Sequence, residues 1–139
     1  MKAVYTTQVT NTGGRNGRSY VPDGSFSVDV AKPKEMGGDA TNATNPEQLF
    51  AAAYSACFNG ALQLVLERAR VKYESSKVTA IVSLVEDPID KGLKLSARIQ
   101  AAIDGVDKET AEKYVKLAHN ICPYSKAVKG NVEVEIEVL

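Results

Sequence analysis

The chain has 139 residues, and its 17 Lys plus Arg balance 17 Asp plus Glu, so no net charge draws it to nucleic acid or an anionic membrane surface. At 44% apolar and 24% charged residues its composition is that of an ordinary folded domain, and its length fits one domain over 1–139 that needs no metal or disulfide staple. The uninterrupted apolar stretches read as too short to span a bilayer, and the N-terminus, Met1-Lys2-Ala3-Val4-Tyr5-Thr6, has no apolar leader. Two cysteines do not make a secreted disulfide framework, so a cytoplasmic location is expected.

In chain order, residues 3–10 (AVYTTQVT) predict a strand, and Gly13-Gly14-Arg15-Asn16-Gly17 predicts a turn. Asp23-Gly24 marks a hairpin, after which Phe26, Val28 and Val30 alternate with polar residues in a second strand. Residues 37–45 predict a loop. A helix then starts with Asn45 as cap, Pro46 at the first helical position and Gln48 where a capping-box partner belongs, and it runs to about Arg70. Its middle, Ala51 to Ala61, is nearly all small or apolar, which predicts a buried central helix. Two alternating strands follow, one through Val78, Ala80, Val82 and Leu84, the other through Leu93, Leu95, Ala97 and Ile99, with a turn over 88–92. Asp107 caps a second helix, stapled by Val106 and Ala111. Pro123 breaks that helix, forces Cys122 out of helical geometry and starts a short helical turn ending before Gly130. Val132, Val134, Ile136 and Val138 form a last strand. The order β-β-α-β-β-α-β, dominated by hairpins, predicts an α+β fold with antiparallel sheet.

Two side chains carry most of the possible chemistry. Cys57 lies mid-helix, where a thiol is more often a small core hydrophobe than a nucleophile. Cys122 precedes Pro123, where the N–H groups of a short helix would favour a thiolate. Together they read as a dithiol that only the fold can bring into range. A metal site would recruit His119 but lacks a fourth ligand. A Cys–His acyl-transfer site is a second alternative, without an evident orienting group. A small ligand-binding or carrier module with inert buried cysteines is a third. Arg15 is either a solvated turn arginine or a fixed cation that lowers a thiol pKa. Glu47 is either a partner of the helix dipole or a carboxylate gripping an arginine through both oxygens. Glu47 and Cys57 stand ten residues apart on one predicted helix, roughly 15 Å along its axis. If both serve one site, a second chain supplies one of them, which predicts an intertwined homodimer with composite sites.

TGGRNG (12–17), TNPEQLFAAAYSACF (44–58) and ICPYSKAVKGN (121–131) resemble the organic hydroperoxide resistance proteins, within the superfamily named for osmotically inducible protein C. The resemblance covers essentially the whole chain. It implies a thiol peroxidase that reduces organic hydroperoxides in oxidative stress defence, with Cys57 as peroxidatic cysteine and Cys122 as resolving cysteine. Arg15 would steady the thiolate and the hydroperoxide, and Glu47 would hold Arg15. It further implies an obligate homodimer with sheets around paired central helices. No bound cofactor or metal is expected; a dihydrolipoyl group on a partner protein would return the reducing equivalents. Leu49, Phe50, Phe58 and Tyr124 are candidates for an apolar substrate channel, although each is more often core than channel wall. Ala53, where the family pattern has glycine, and the polar Asn59 are small departures near the site.

Overall fold

The computed structural model describes residues 1–39 and 42–139, so Ala40 and Thr41 of the predicted loop lie outside the described residues. The fold is mixed α+β, with two small sheets and a long central helix. Its contacts divide into two compact units, Met1–Leu49 and Phe50–Leu139.

The first unit is an antiparallel sheet of β1 (Thr10–Thr12), β2 (Gly17–Tyr20) and β3 (Ser27–Val30). Both predicted turns are present. Gly13 and Gly14 take φ values of +83° and +62° between β1 and β2, and Gly24 takes +80° between β2 and β3. The predicted strand over 3–10 is absent: regular pairing begins only at Thr10, and Val4, Tyr5 and Val9 are exposed. β-formers make a strand only where a neighbouring strand and a packed face receive them, and among the described residues these have neither.

Helix α1 (Pro46–Arg68) starts as predicted. The Asn45 side chain accepts the backbone N–H of Gln48 at 2.8 Å. The Gln48 side chain accepts from the Thr44 hydroxyl at 3.0 Å instead of reaching back to the cap residue. At 23 residues and a mean hydropathy of 1.5 in its most apolar window, α1 is long and apolar enough by length and composition to cross a membrane. That corrects the expectation from uninterrupted runs, because isolated Ser, Asn and Gln residues divide a stretch that is continuous as a helix.

In the second unit α1 buries Tyr54, Phe58, Ala61, Leu62 and Leu66, a single face at helical spacing. They pack in one core with Ile99, Ala101 and Ile103 of β5 (Leu93–Asp104) and with Ala111, Val115 and Ala118 of α2 (Lys108–Ile121). Fully burying each large apolar side chain contributes about 1.5–3 kcal/mol. The expected burial of α1 is thus one-sided: Ala52, Ala56, Gly60 and Leu64 stay exposed.

β4 (Ser75–Glu86) pairs antiparallel with β5 along its whole length, as the alternation predicts. β6 (Val134–Val138) pairs parallel with β5, so the sheet is mixed and not antiparallel throughout. The reason is the connection. A hairpin reverses direction in a few residues, but β5 reaches β6 through α2 and the short α3 (Pro123–Val128), and such a crossover can return the chain in the same direction.

Candidate active site

The first constellation lies within the N-terminal unit. Gly17 opposes Val30 in the β2–β3 register, and Val30 bridges Thr44, one residue before the α1 cap. Asn16 Oδ1 accepts the Lys32 N–H at 3.2 Å, which ties the turn to the segment just beyond β3. This chain of pairings carries Arg15 to the first turn of α1. There the guanidinium grips Glu47 through two parallel hydrogen bonds, Nη1 to Oε2 at 2.9 Å and Nη2 to Oε1 at 2.8 Å. The Arg15 side chain stays 34% exposed and that of Glu47 16%. A two-pronged grip fixes the guanidinium plane as one bond would not.

These hydrogen bonds hold the Glu47 carboxyl below the usual carboxylate range, and Glu47 in turn raises the Arg15 pKa. A carboxyl whose pKa falls on folding adds stability above its unfolded value, near 4.3, and loses it as the pH drops through the folded value. Glu47→Gln is therefore expected to flatten the acid limb of stability below about pH 4.5, read as urea midpoints against pH.

The second constellation lies within the C-terminal unit. Cys57 projects from α1, half-buried; Cys122 is fully buried. Their sulfurs stand 3.8 Å apart as free thiols. A disulfide needs about 2.05 Å, so bonding requires a further approach of about 1.8 Å. Pro123 makes this geometry possible. Cys122, at φ −59° and ψ 122°, leaves the helical region between α2 and α3 as predicted. It occupies the N-cap position of α3 without a capping hydrogen bond from its side chain, and its thiol turns toward Cys57. Burial pushes the Cys57 thiol up. A hydrogen bond from the Tyr124 backbone N–H opposes that rise, and the neighbouring Cys122 adds to it.

A buried relay beside the sulfurs was not foreseen. The Tyr54 hydroxyl hydrogen-bonds Ser125 Oγ at 2.8 Å, and Ser125 Oγ meets His119 Nδ1 at 2.9 Å. Burial, and secondarily Lys129, lowers the His119 pKa, so the ring is neutral near pH 7. His119 Nδ1 is thus engaged by a serine, and among the described residues no hydrogen bond joins the ring to either thiol, the contact a Cys–His acyl-transfer site needs. Ser125→Ala would strand two polar groups and should destabilise the unit by about 1–3 kcal/mol. A lowered urea midpoint at unchanged m value checks this. Among the described residues no group of three His, Cys, Asp or Glu side chains could hold a metal ion.

The proposed channel residues are unevenly placed. Phe58 is fully buried in the core and cannot wall an open channel. Leu49 and Phe50 are half-buried, and Tyr124 is 37% exposed. Phe50 and Tyr124 each pack on Tyr54 with ring centroids 6.1 Å apart. Asn59 pins α1 to β4: its Oδ1 accepts from the Ser76 hydroxyl at 2.7 Å. The polar departure is thus a structural tie, and Ala53 is half-buried.

The sequence was compared with known proteins. Residues 37–137 match the family described as OsmC-like protein. A Staphylococcus epidermidis protein, "Organic hydroperoxide resistance protein-like 2", is 46% identical over 98% of this chain and 96% of its own length. The crystal structure of an organic hydroperoxide resistance protein from Legionella pneumophila is 45% identical and superposes with a TM-score of 0.92, covering 99% of this chain and 98% of that one. That of the organic hydroperoxide resistance protein OhrB of Bacillus subtilis is 40% identical with a TM-score of 0.89, over 99% and 100% of the two chains. With the two-cysteine pattern, the Arg15–Glu47 grip and the mixed fold already in place, the chain belongs to the organic hydroperoxide resistance proteins of the OsmC-like family.

Proposed function

We propose that the protein is a thiol peroxidase that reduces organic hydroperoxides to alcohols, acting in the cytoplasm in oxidative stress defence. The 3.8 Å approach of Cys57 and Cys122 is the observation that carries this reading. Cys57 thiolate attacks the terminal peroxide oxygen, the O–O bond breaks, and the alkoxide leaves with a proton as alcohol. Cys57 sulfenic acid then condenses with the Cys122 thiol, forming the disulfide and releasing water. A dihydrolipoyl dithiol on a partner protein reduces the disulfide and becomes a cyclic disulfide itself. No resident cofactor enters these steps.

Burial and the neighbouring Cys122 push the Cys57 thiol up, so the cycle needs a cation that favours the thiolate. Arg15, oriented by Glu47, is the candidate. Helix α1 is continuous from Pro46 to Arg68, which keeps Glu47 and Cys57 roughly 15 Å apart along its axis in one chain. A second copy therefore supplies the arginine pair in a homodimer with composite sites. The exposed Ala52, Ala56, Gly60 and Leu64 face of α1 and the exposed Val4 and Tyr5 support such a partner. Phe50 and Tyr124, with Leu49 next to Phe50 in sequence, would contact the apolar part of the substrate.

One equivalent of cumene hydroperoxide should convert the free thiols to a Cys57–Cys122 bridge detectable by mass spectrometry, and a dihydrolipoyl reductant should restore them. Hydrogen peroxide should react more slowly. Thiols that survive the organic peroxide would point to a binding module with inert cysteines. Sedimentation should give twice the chain mass; a fully active monomer would overturn the composite site.

A further inference from the structure

A concave site separate from the two sulfurs opens between the end of α2, α3 and the start of β6. It encloses about 270 Å³. His119, Asn120, Lys126 and Lys129 line it together with Val132 and Val134. No Asp or Glu is among the residues that line it. We propose that this cavity binds a small organic anion, a carboxylate or phosphate head on a short apolar tail.

Three observations carry the assignment. The first is the fixed imidazole. Ser125, only 3% exposed, holds His119 Nδ1 and is itself held by Tyr54, so the ring's orientation is set from the core side. Nε2 has no hydrogen-bond partner among the described residues and is the ring nitrogen left for a ligand. The second is charge. Lys129 is near enough to His119 to disfavour protonation of its ring, and Lys126 borders the same space. Cations gathered without a counter-ion repel one another, and an anion relieves that repulsion. Lysines at the C-terminal end of α3 also complement its carbonyls, but that role explains neither the concave wall nor the fixed histidine. The third is size and a mixed lining. Small-molecule pockets run from about 300 Å³ upward, so this cavity suits a ligand at the small end, and Val128, Val132 and Val134 line it beside the polar side chains, as a ligand with a charged head and a short apolar tail requires.

The inference is independent of the peroxidase reading, since neither Cys57 nor Cys122 lines the cavity. Hexanoate, hexyl phosphate, inorganic phosphate and hexanol would be titrated into the whole protein and followed by calorimetry and by the His119 imidazole resonances. Hexanoate or hexyl phosphate should bind with a Kd on the order of 1 mM and shift the His119 signals, at least about tenfold tighter than phosphate or hexanol. Whichever of the two binds better names the head group. The Lys126→Gln/Lys129→Gln double variant should weaken binding about tenfold and leave peroxide turnover at the parent level. Equal binding of hexanol, unmoved His119 resonances, or a double variant that binds like the parent would overturn the proposal.

Discussion

Cys57→Ser is expected to lose all measurable turnover of cumene hydroperoxide, because a hydroxyl in that position is neither ionised nor nucleophilic enough to open an O–O bond near pH 7. Cys122→Ser should fail differently. Its Cys57 still reacts once, consuming one equivalent of peroxide, but the sulfenic acid has no neighbouring thiol and the enzyme stalls. Stopped-flow kinetics would show a single burst without steady state, and a sulfenic-acid trap would label Cys57 alone. Further peroxide should drive the stalled sulfur to the sulfinic state. Because Cys122 is fully buried, Cys122→Ala serves as the second variant, avoiding a new hydroxyl in the core. If Cys122→Ser cycled at the parent rate with a dihydrolipoyl reductant, the resolving role would be wrong. If Cys57→Ser retained activity, the entire reading would be.

Arg15→Ala should slow the first chemical step on the order of 10²-fold, the usual loss when a preorganised group facing developing charge is removed. The pH profile carries the diagnosis. Burial already raises the Cys57 pKa, so removing the cation should move the rise in rate to higher pH. Disulfide formation by a non-peroxide oxidant should persist, since the sulfurs need only each other. Arg15→Lys should rescue little, because an ammonium cannot reproduce the paired bonds to Glu47 at 2.8 and 2.9 Å. An unchanged rate and an unchanged profile would leave Arg15 as a structural turn residue.

Local rules located much of this molecule. The Asn45 cap and Pro46 placed the start of α1, and Asp107 placed that of α2, where its carboxylate accepts the Thr110 N–H at 2.7 Å. Pro123 announced the break that frees Cys122 to face Cys57. Alternation located β4 and β5 to within a few residues. What local pattern could not carry was pairing at long range. Val132 to Val138 read as a strand, of which Val134–Val138 pairs, but its direction depends on the helical crossover before it. Val4 and Tyr5 have strand propensity but stay exposed, with no surface among the described residues to satisfy it. The Tyr54–Ser125–His119 relay joins residues 71 and 6 positions apart through hydroxyls and a ring that each look unremarkable alone. The Ser125 signal was present in the Cys-Pro-Tyr-Ser motif, but nothing adjacent to it named Tyr54 as its partner.

The glycines around Arg15 set unequal constraints on how this loop can evolve. A methyl group on Gly17 would lie 1.9 Å from the Thr12 carbonyl oxygen, and one on Gly13 would lie 2.6 Å from that of Asn16, with φ already at +83°. Both positions are closed to any side chain, because the obstacle is backbone. Gly14 has open space around it, and only its φ of +62° resists substitution, a resistance Asn or Asp overcomes most easily. Natural drift and laboratory libraries should therefore diversify position 14 while leaving Gly13 and Gly17 unchanged, so that the arginine keeps its aim as the loop's exposed rim changes character.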